Sequence, residues 1–178
     1  KSTETNFAKA FSKTLPNVVI LNTERSPQLN VVFAKLNGLA NNAPNLQITL
    51  FGYTEWMMYT RYNLDNYYRF NVYIPATFYT NPLSSATRRF EQKYRWNFHE
   101  DMLAALPRFA ITGFDHTYFF LKGLHEYGKN FNGALGSTGY TPIQTPLGFE
   151  RISPNGGWQN KRILMVNYSP SKQIRVIY

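Results

Sequence analysis

From Asn17 to Trp56 the apolar and polar positions fall in an order that reads strand, helix, strand. Val18-Val19-Ile20-Leu21 is a continuous, largely β-branched run of the kind that suits a strand buried on both faces of a parallel sheet. Ser26 then offers an N-cap with Pro27 at the first helical position. Leu29, Val32, Phe33, Leu36, Leu39 and Ala40 recur at helical spacing until Asn41-Asn42-Ala43-Pro44. Ile48-Thr49-Leu50-Phe51 supplies the next strand, and a right-handed crossover between parallel strands is the expected connection. The run Gly52-Tyr53-Thr54-Glu55-Trp56 follows at the carboxyl end of that strand, where open α/β sheets meet ligands.

Elsewhere the pattern is shorter-ranged. Residues 6–15 read as a helix stopped by Pro16, and Phe70 to Ile74 alternates like a third strand ended by Pro75. Between Thr54 and Asp65 the signal is short and aromatic. Helical periodicity runs over 83–96, a shorter helical piece over Met102 to Leu106, and a strong helix follows Gly113. On that helix Phe114, Tyr118, Leu121 and Leu124 form one stripe, and Gly128 can close it. Asn130 to Pro142 reads as a loop. Leu147 to Ile152 and Arg162 to Tyr168 read as strands flanking the turn-like Ser153 to Gly157, with a last strand over Gln173 to Ile177.

Length and composition narrow the class. The 178 residues are 43% hydrophobic and 17% aromatic, enough for one domain with a core. There is no signal-like h-region and no apolar run of the ~20 residues that a membrane span needs, so the sequence reads as a soluble, processed or excised piece. The absence of cysteine excludes a disulfide scaffold, a thiolate nucleophile and a Cys-based zinc site. Nineteen Lys and Arg against ten Asp and Glu give +9, and 151–178 holds five basic residues and no acid. A second cluster, Arg88, Arg89, Lys93 and Arg95 with Glu91 opposing, reads either as a solvated face or as a positive surface toward phosphate, anionic lipid or a polyanion.

Enzyme motifs are missing: no Gly-x-Ser-x-Gly, no phosphate loop, no Gly-x-Gly-x-x-Gly and no His-Glu-x-x-His. These absences speak against an enzyme, and no cofactor or metal is expected. His99, Glu100 and Asp101 read as an exposed polar turn, with a metal site as the alternative. Asp115 is expected to stabilise a helix N-terminus, with a ligand contact as the alternative. Glu24-Arg25-Ser26 is either an exposed loop capped by Ser26 or a place where Arg25 and free amides near Ser26 meet an anionic group. The aromatic residues between Tyr53 and Tyr79 are too many for all to be core, so some are expected to line a cleft or an interface, a groove of this kind suiting a sugar, peptide or amino acid. Nucleic acid is not expected, because no RNP-like motif appears and the aromatics are not interleaved with Lys and Arg on one strand.

Several segments together carry a resemblance. Asn17 to Thr23, Leu50 to Trp56, Tyr73 to Tyr79, Phe90 to Tyr94, Pro107 to Asp115 and Tyr118 to Leu124 resemble, in that order, the C-terminal half of a type I periplasmic binding protein. The variety they resemble is the Bacteroidetes amino-acid ABC transporter substrate-binding-like, LysM-associated one. The resemblance implies an α/β, parallel-sheet Rossmann-like lobe with a C-terminal antiparallel β extension. Residues 1–178 then form a single unit: about 1–80 a second-lobe core, about 81–147 a helical return segment and about 148–178 the C-terminal strands. It implies a non-enzymatic protein of the periplasm or cell envelope that holds an amino acid, peptide or muropeptide between two lobes, with a membrane permease or envelope protein as partner. The alternative is an envelope scaffolding protein that kept the fold without solute binding. Because they follow the three expected strands on one side of the sheet, Thr23, Arg25, Ser26, Gly52, Tyr53, Glu55, Trp56, Thr77 and Tyr79 are the ligand-binding candidates. With the first lobe not among these residues, exposed apolar surface and self-association are also expected.

Overall fold

The structure, a computed structural model, describes residues 4–133 and 141–178. In chain order the elements are helix α1 (Glu4–Lys9), strand β1 (Asn17–Ile20), α2 (Ser26–Asn42), β2 (Ile48–Phe51), a 3-10 turn (Thr54–Tyr59), α3 (Thr60–Arg69), β3 (Val72–Ala76), α4 (Ser85–Phe98) and α5 (Phe109–Tyr127). After a short 3-10 turn come β4 (Phe149–Arg151), β5 (Trp158–Asn160), β6 (Leu164–Tyr168) and β7 (Ile174–Ile177). They divide into two compact units, one of residues 1–76 with 165–177 and one of 77–164 with Tyr178. The C-terminal strands thus do not stay together: β4 and β5 belong to the second unit, whereas β6 beyond Leu164 and β7 belong to the first.

The first unit is mixed α/β. Its five-stranded sheet has the order β1-β2-β3-β6-β7, parallel across β1, β2 and β3 and antiparallel between β6 and β7. Successive right-handed crossovers in one direction put α2 and α3 on the same face of the sheet. On that side Leu29, Phe33 and Leu36 of α2 and Tyr67 of α3 are buried, together with Leu50, Phe70, Val72 and Ile74. Tyr67 is the hub: its ring lies 5.8 Å from Phe33, 6.4 Å from Trp56 and 5.2 Å from Tyr168. Its hydroxyl donates to the Trp56 carbonyl at 2.7 Å, so the polar end of a buried ring is satisfied. The other sheet face is differently covered. Strand alternation puts Val18, Thr49, Ile20, Phe51 and Tyr73 on one side through the registered pairs, and there Val18 and Ile20 are exposed, Ile20 by 74%. The buried-type run of β1 is therefore covered on one face only.

Several boundaries differ from the sequence expectation for local reasons. α1 ends at Lys9, because Ser12 and Asn17 exchange bonds (Ser12 N–H to Asn17 Oδ1 at 2.8 Å, Asn17 Nδ2 to the Ser12 carbonyl at 3.0 Å) that compete with further helix. Ser26 is the first residue of α2 and makes no capping bond; Arg25 occupies the N-cap position. The aromatic stretch after Thr54 folds as the 3-10 turn and α3. Its only buried positions on α3 are Asn63 and Tyr67, four apart, so no apolar stripe announced it. β3 starts at Val72 and runs through Pro75. Proline is tolerated there because β2 ends at Phe51, opposite Tyr73, and the Pro75 carbonyl is instead used by the Thr54 hydroxyl at 2.7 Å.

In the second unit α5 begins at Phe109, not after Gly113, and its buried positions are Ile111, Asp115, Phe119 and Gly123. The stripe Phe114, Tyr118, Leu121 and Leu124 is the more exposed one. Gly123 is needed where it stands, since a Cβ there would run into the Phe131 ring. Asp115 is no helix-start residue. It lies mid-helix, 0% exposed, and its carboxylate accepts the backbone N–H groups of Ile143, Gln144 and Thr145 at 2.9, 2.8 and 2.8 Å. The Met102 to Leu106 segment is not helical; Ala105 N–H turns back onto the Leu103 carbonyl before Pro107. The hairpin around Ser153 to Gly157 pairs β4 with β5 rather than with 162–168, closed by Ile152 N–H to the Gly157 carbonyl at 3.0 Å. The loop expected over 130–142 lies largely outside the described residues. Among those described, no helix is long and apolar enough to cross a membrane.

Two outcomes are expected. Asp115→Ala leaves three amides without their acceptor and costs at least about 3 kcal/mol in urea unfolding, with Asp115→Asn losing less and the amides of Ile143 to Thr145 exchanging faster in both. Burial, reinforced by the neighbouring Tyr168, pushes the Tyr67 hydroxyl above the ordinary tyrosine value. Burial does the same to Tyr168 against the opposing bond from Thr60. Both groups have raised folded values, so their contribution to stability is complete below the unfolded value near about pH 10. Above it the contribution of Tyr67 falls by about 1.4 kcal/mol per pH unit, as the unfolded chain ionises before the folded one, and that of Tyr168 falls in the same direction. Unfolding free energies measured across alkaline pH should show this slope, and Tyr67→Phe should remove one group's share of it.

Candidate functional site

The carboxyl ends of β1 and β2 deliver two loops side by side, held by Leu21 N–H on the Phe51 carbonyl at 3.2 Å and Gly52 N–H on the Tyr73 carbonyl at 3.0 Å. Between them opens a pocket of ≈ 360 Å³ lined by Asn22, Thr23, Glu24, Arg25, Gln28 and Tyr53. Its position is the one that open α/β sheets reserve for ligands, outside the carboxyl ends of parallel strands. Arg25 sits at the N-cap of α2 with extended backbone (φ −85°, ψ 127°).

The walls are fixed by hydrogen bonds. Tyr53 donates its phenolic hydrogen to Asn22 Oδ1 at 2.6 Å, which leaves the Asn22 amide hydrogens available to a ligand. The Thr23 hydroxyl is bonded to Gln28 Oε1 and also accepts the Arg25 N–H at 3.2 Å, leaving the Gln28 amide hydrogens similarly disposed. Beneath the pocket the Trp56 indole N–H donates to the Thr23 carbonyl at 2.8 Å. The Arg25 guanidinium has no acidic partner among the described residues, although Glu24 shares the pocket. The set is donor-rich, with one cation and one carboxylate, and suits a small polar molecule carrying an anionic group. It contains no nucleophile and base in contact.

Of the nine residues singled out from sequence, Thr23, Arg25 and Tyr53 line this pocket. Ser26 and Glu55 are half-buried beside it without lining it. Trp56 is 0% exposed, and a Cβ on Gly52 would collide with its ring, so this pair supports the loops from below and does not present a surface. Thr77 and Tyr79 belong to the second unit, where Tyr79 N–H bonds the Gln144 carbonyl at 3.0 Å. Sequence reading passed over Asn22, Glu24 and Gln28 as site residues. Asn22 lies two residues beyond β1 and Gln28 lies in the first turn of α2, so the same rule that selected Thr23 and Arg25 reaches both. Near the end of α4, His99 takes the left-handed C-cap position (φ 57°) and Asp101 pairs with Arg95 at 2.6 Å. Among the described residues no group of three or more His, Asp and Glu is placed to hold a metal.

Gly52→Ala tests the support directly. The added methyl forces the Trp56 ring out of its seat, and overpacking of this kind costs about 1–3 kcal/mol. A lower thermal midpoint with a red-shifted tryptophan emission is the expected outcome.

No family model, curated protein or solved structure matches the chain.

Proposed function

We propose that the chain is the solute-binding-like part of a non-enzymatic periplasmic or envelope protein, a Rossmann-like lobe that holds the anionic end of an amino acid, peptide or muropeptide. The observation that carries this reading is the pocket at the carboxyl ends of β1 and β2, where the Arg25 guanidinium, with no acidic partner among the described residues, stands beside Asn22, Gln28 and Tyr53. An anion there meets a charge-assisted donor and the free amides in the first turn of α2, whose dipole favours negative charge. The Trp56 bond to the Thr23 carbonyl preorganises the loop, so little ordering is left for the ligand to impose. A second reading, an envelope interaction or scaffolding protein without solute binding, draws support from the exposed apolar face of β1 and from the exposed stripe of α5. Surfaces of that kind mark protein contacts, including self-association.

A thermal-shift screen with amino acids and muropeptides separates the two, because a ligand that binds only the folded state raises its midpoint by mass action. The expected outcome is a shift with a carboxylate-bearing solute that Arg25→Ala weakens about 10- to 100-fold in affinity, with folding unchanged since Arg25 is exposed. Tyr53→Phe should weaken it less, as it loosens only the orientation of Asn22. Absence of any shift, together with concentration-dependent association in sedimentation velocity, would sink the solute reading in favour of the second. Trp56 is unsuited to this test, because its replacement removes core.

A further inference from the structure

Helix α4 presents a second feature, unconnected with the pocket. Helical spacing sets Arg88, Gln92 and Trp96 in one row and Arg89 and Lys93 in the adjacent one. All five are exposed, and Trp96 is exposed by 81%; the buried position of the helix, Thr87, lies on the opposite side. Among the described residues the charges on this face are not neutralised. Glu91, the helix's one acid, is taken by Arg108 at 3.1 Å, and Arg95 is taken by Asp101. Arg88, Arg89 and Lys93 are left with no acidic partner among the described residues. A shallow depression of ≈ 700 Å³ opens beside Trp96, and Phe98 and Leu103, further along the chain, are also exposed.

A large indole held in water among three unpaired cations is a costly arrangement for a surface with no partner. Mutual repulsion and exposed apolar area add, and both are relieved by the same occupant, an anionic surface with an apolar layer beneath it. Tryptophan prefers the headgroup level of a bilayer, and Arg and Lys beside it meet lipid phosphates. Nucleic acid fits less well: binding of single strands uses several aromatic platforms in series, and this face offers one ring. We propose that α4 docks the protein peripherally on an anionic lipid surface, with Trp96 at headgroup depth and Arg88, Arg89 and Lys93 over the phosphates.

Each basic side chain close to an anionic leaflet raises partitioning on the order of fivefold, an effect screened by salt. Sedimentation of the 178-residue chain with vesicles of phosphatidylcholine plus phosphatidylglycerol should therefore exceed that with phosphatidylcholine alone and fall at high ionic strength. The triple variant Arg88→Gln, Arg89→Gln, Lys93→Gln should lower partitioning on the order of 100-fold, its fold checked by circular dichroism. Of the three tryptophans, Trp56 is buried and Trp158 on the β4-β5 hairpin is partly exposed, so in a Trp158→Phe background a vesicle-induced blue shift reports Trp96 and should disappear in Trp96→Phe. The proposal is overturned if the anionic vesicles bring down no protein, if the triple variant partitions as the parent does, or if the blue shift survives in Trp96→Phe. Tighter binding to duplex DNA than to the anionic vesicles at equal ionic strength would overturn it in favour of a nucleic-acid partner.

Discussion

The buried indole of Trp56 is the constraint on which the first unit's functional end depends. Its ring occupies the space that a side chain at Gly52 would need, its backbone carbonyl takes the Tyr67 hydroxyl, and its N–H reaches the carbonyl of Thr23 in the loop after β1. The loop after β1, the turn after β2 and α3 are thereby tied through one residue. A backbone carbonyl buried without a donor costs free energy comparable to a lost hydrogen bond, so the loop after β1 has one strongly favoured position once the sheet has formed. Tyr67 extends the same logic inward, joining α2, α3 and β6 through its ring contacts while keeping its hydroxyl satisfied.

This fixed floor explains what stands above it. Arg25 is free to be exposed because the loop that carries it is held by other residues, namely Thr23, Gln28 and Trp56. Binding sites are commonly built this way, with recognition on loops and rigidity in the scaffold. The second unit uses a different device for a similar purpose. There the buried carboxylate of Asp115 gathers three consecutive amides of the 143–145 segment, replacing with one side chain the backbone partners that a strand would have supplied.

The parallel strands and α2 were legible because their signals are local and repeated: a β-branched run, an apolar stripe at helical spacing, Pro27 at the start and Pro44 beyond the end. The pocket was half legible. The rule that ligands gather at strand carboxyl ends reaches Thr23, Arg25 and Tyr53, but residue type alone does not separate a tryptophan that faces a ligand from one that fills the core beneath it. α3 was illegible because its buried positions are an asparagine and a tyrosine, whose burial depends on partners in other elements. On α5 an apolar stripe was visible but the buried one was another, since Gly123 and Asp115 are inside for reasons of close approach and hydrogen bonding that hydropathy does not register.

By itself the sequence determined β1, α2 and β2 in order and the strand character of β3, the cationic character of α4 and the turn at Ser153 to Gly157, because each follows from spacing or residue type within a few positions. Only the tertiary structure decided that β6 and β7 complete the first sheet while β4 and β5 pair with each other in the second unit. It also decided that Asp115 is buried, and that Trp56 supports the pocket from below while Tyr53 lines it. The physical reason is common to all three: strand partners, buried acceptors and ring contacts are satisfied by residues tens of positions away, and no local pattern specifies which of them arrives.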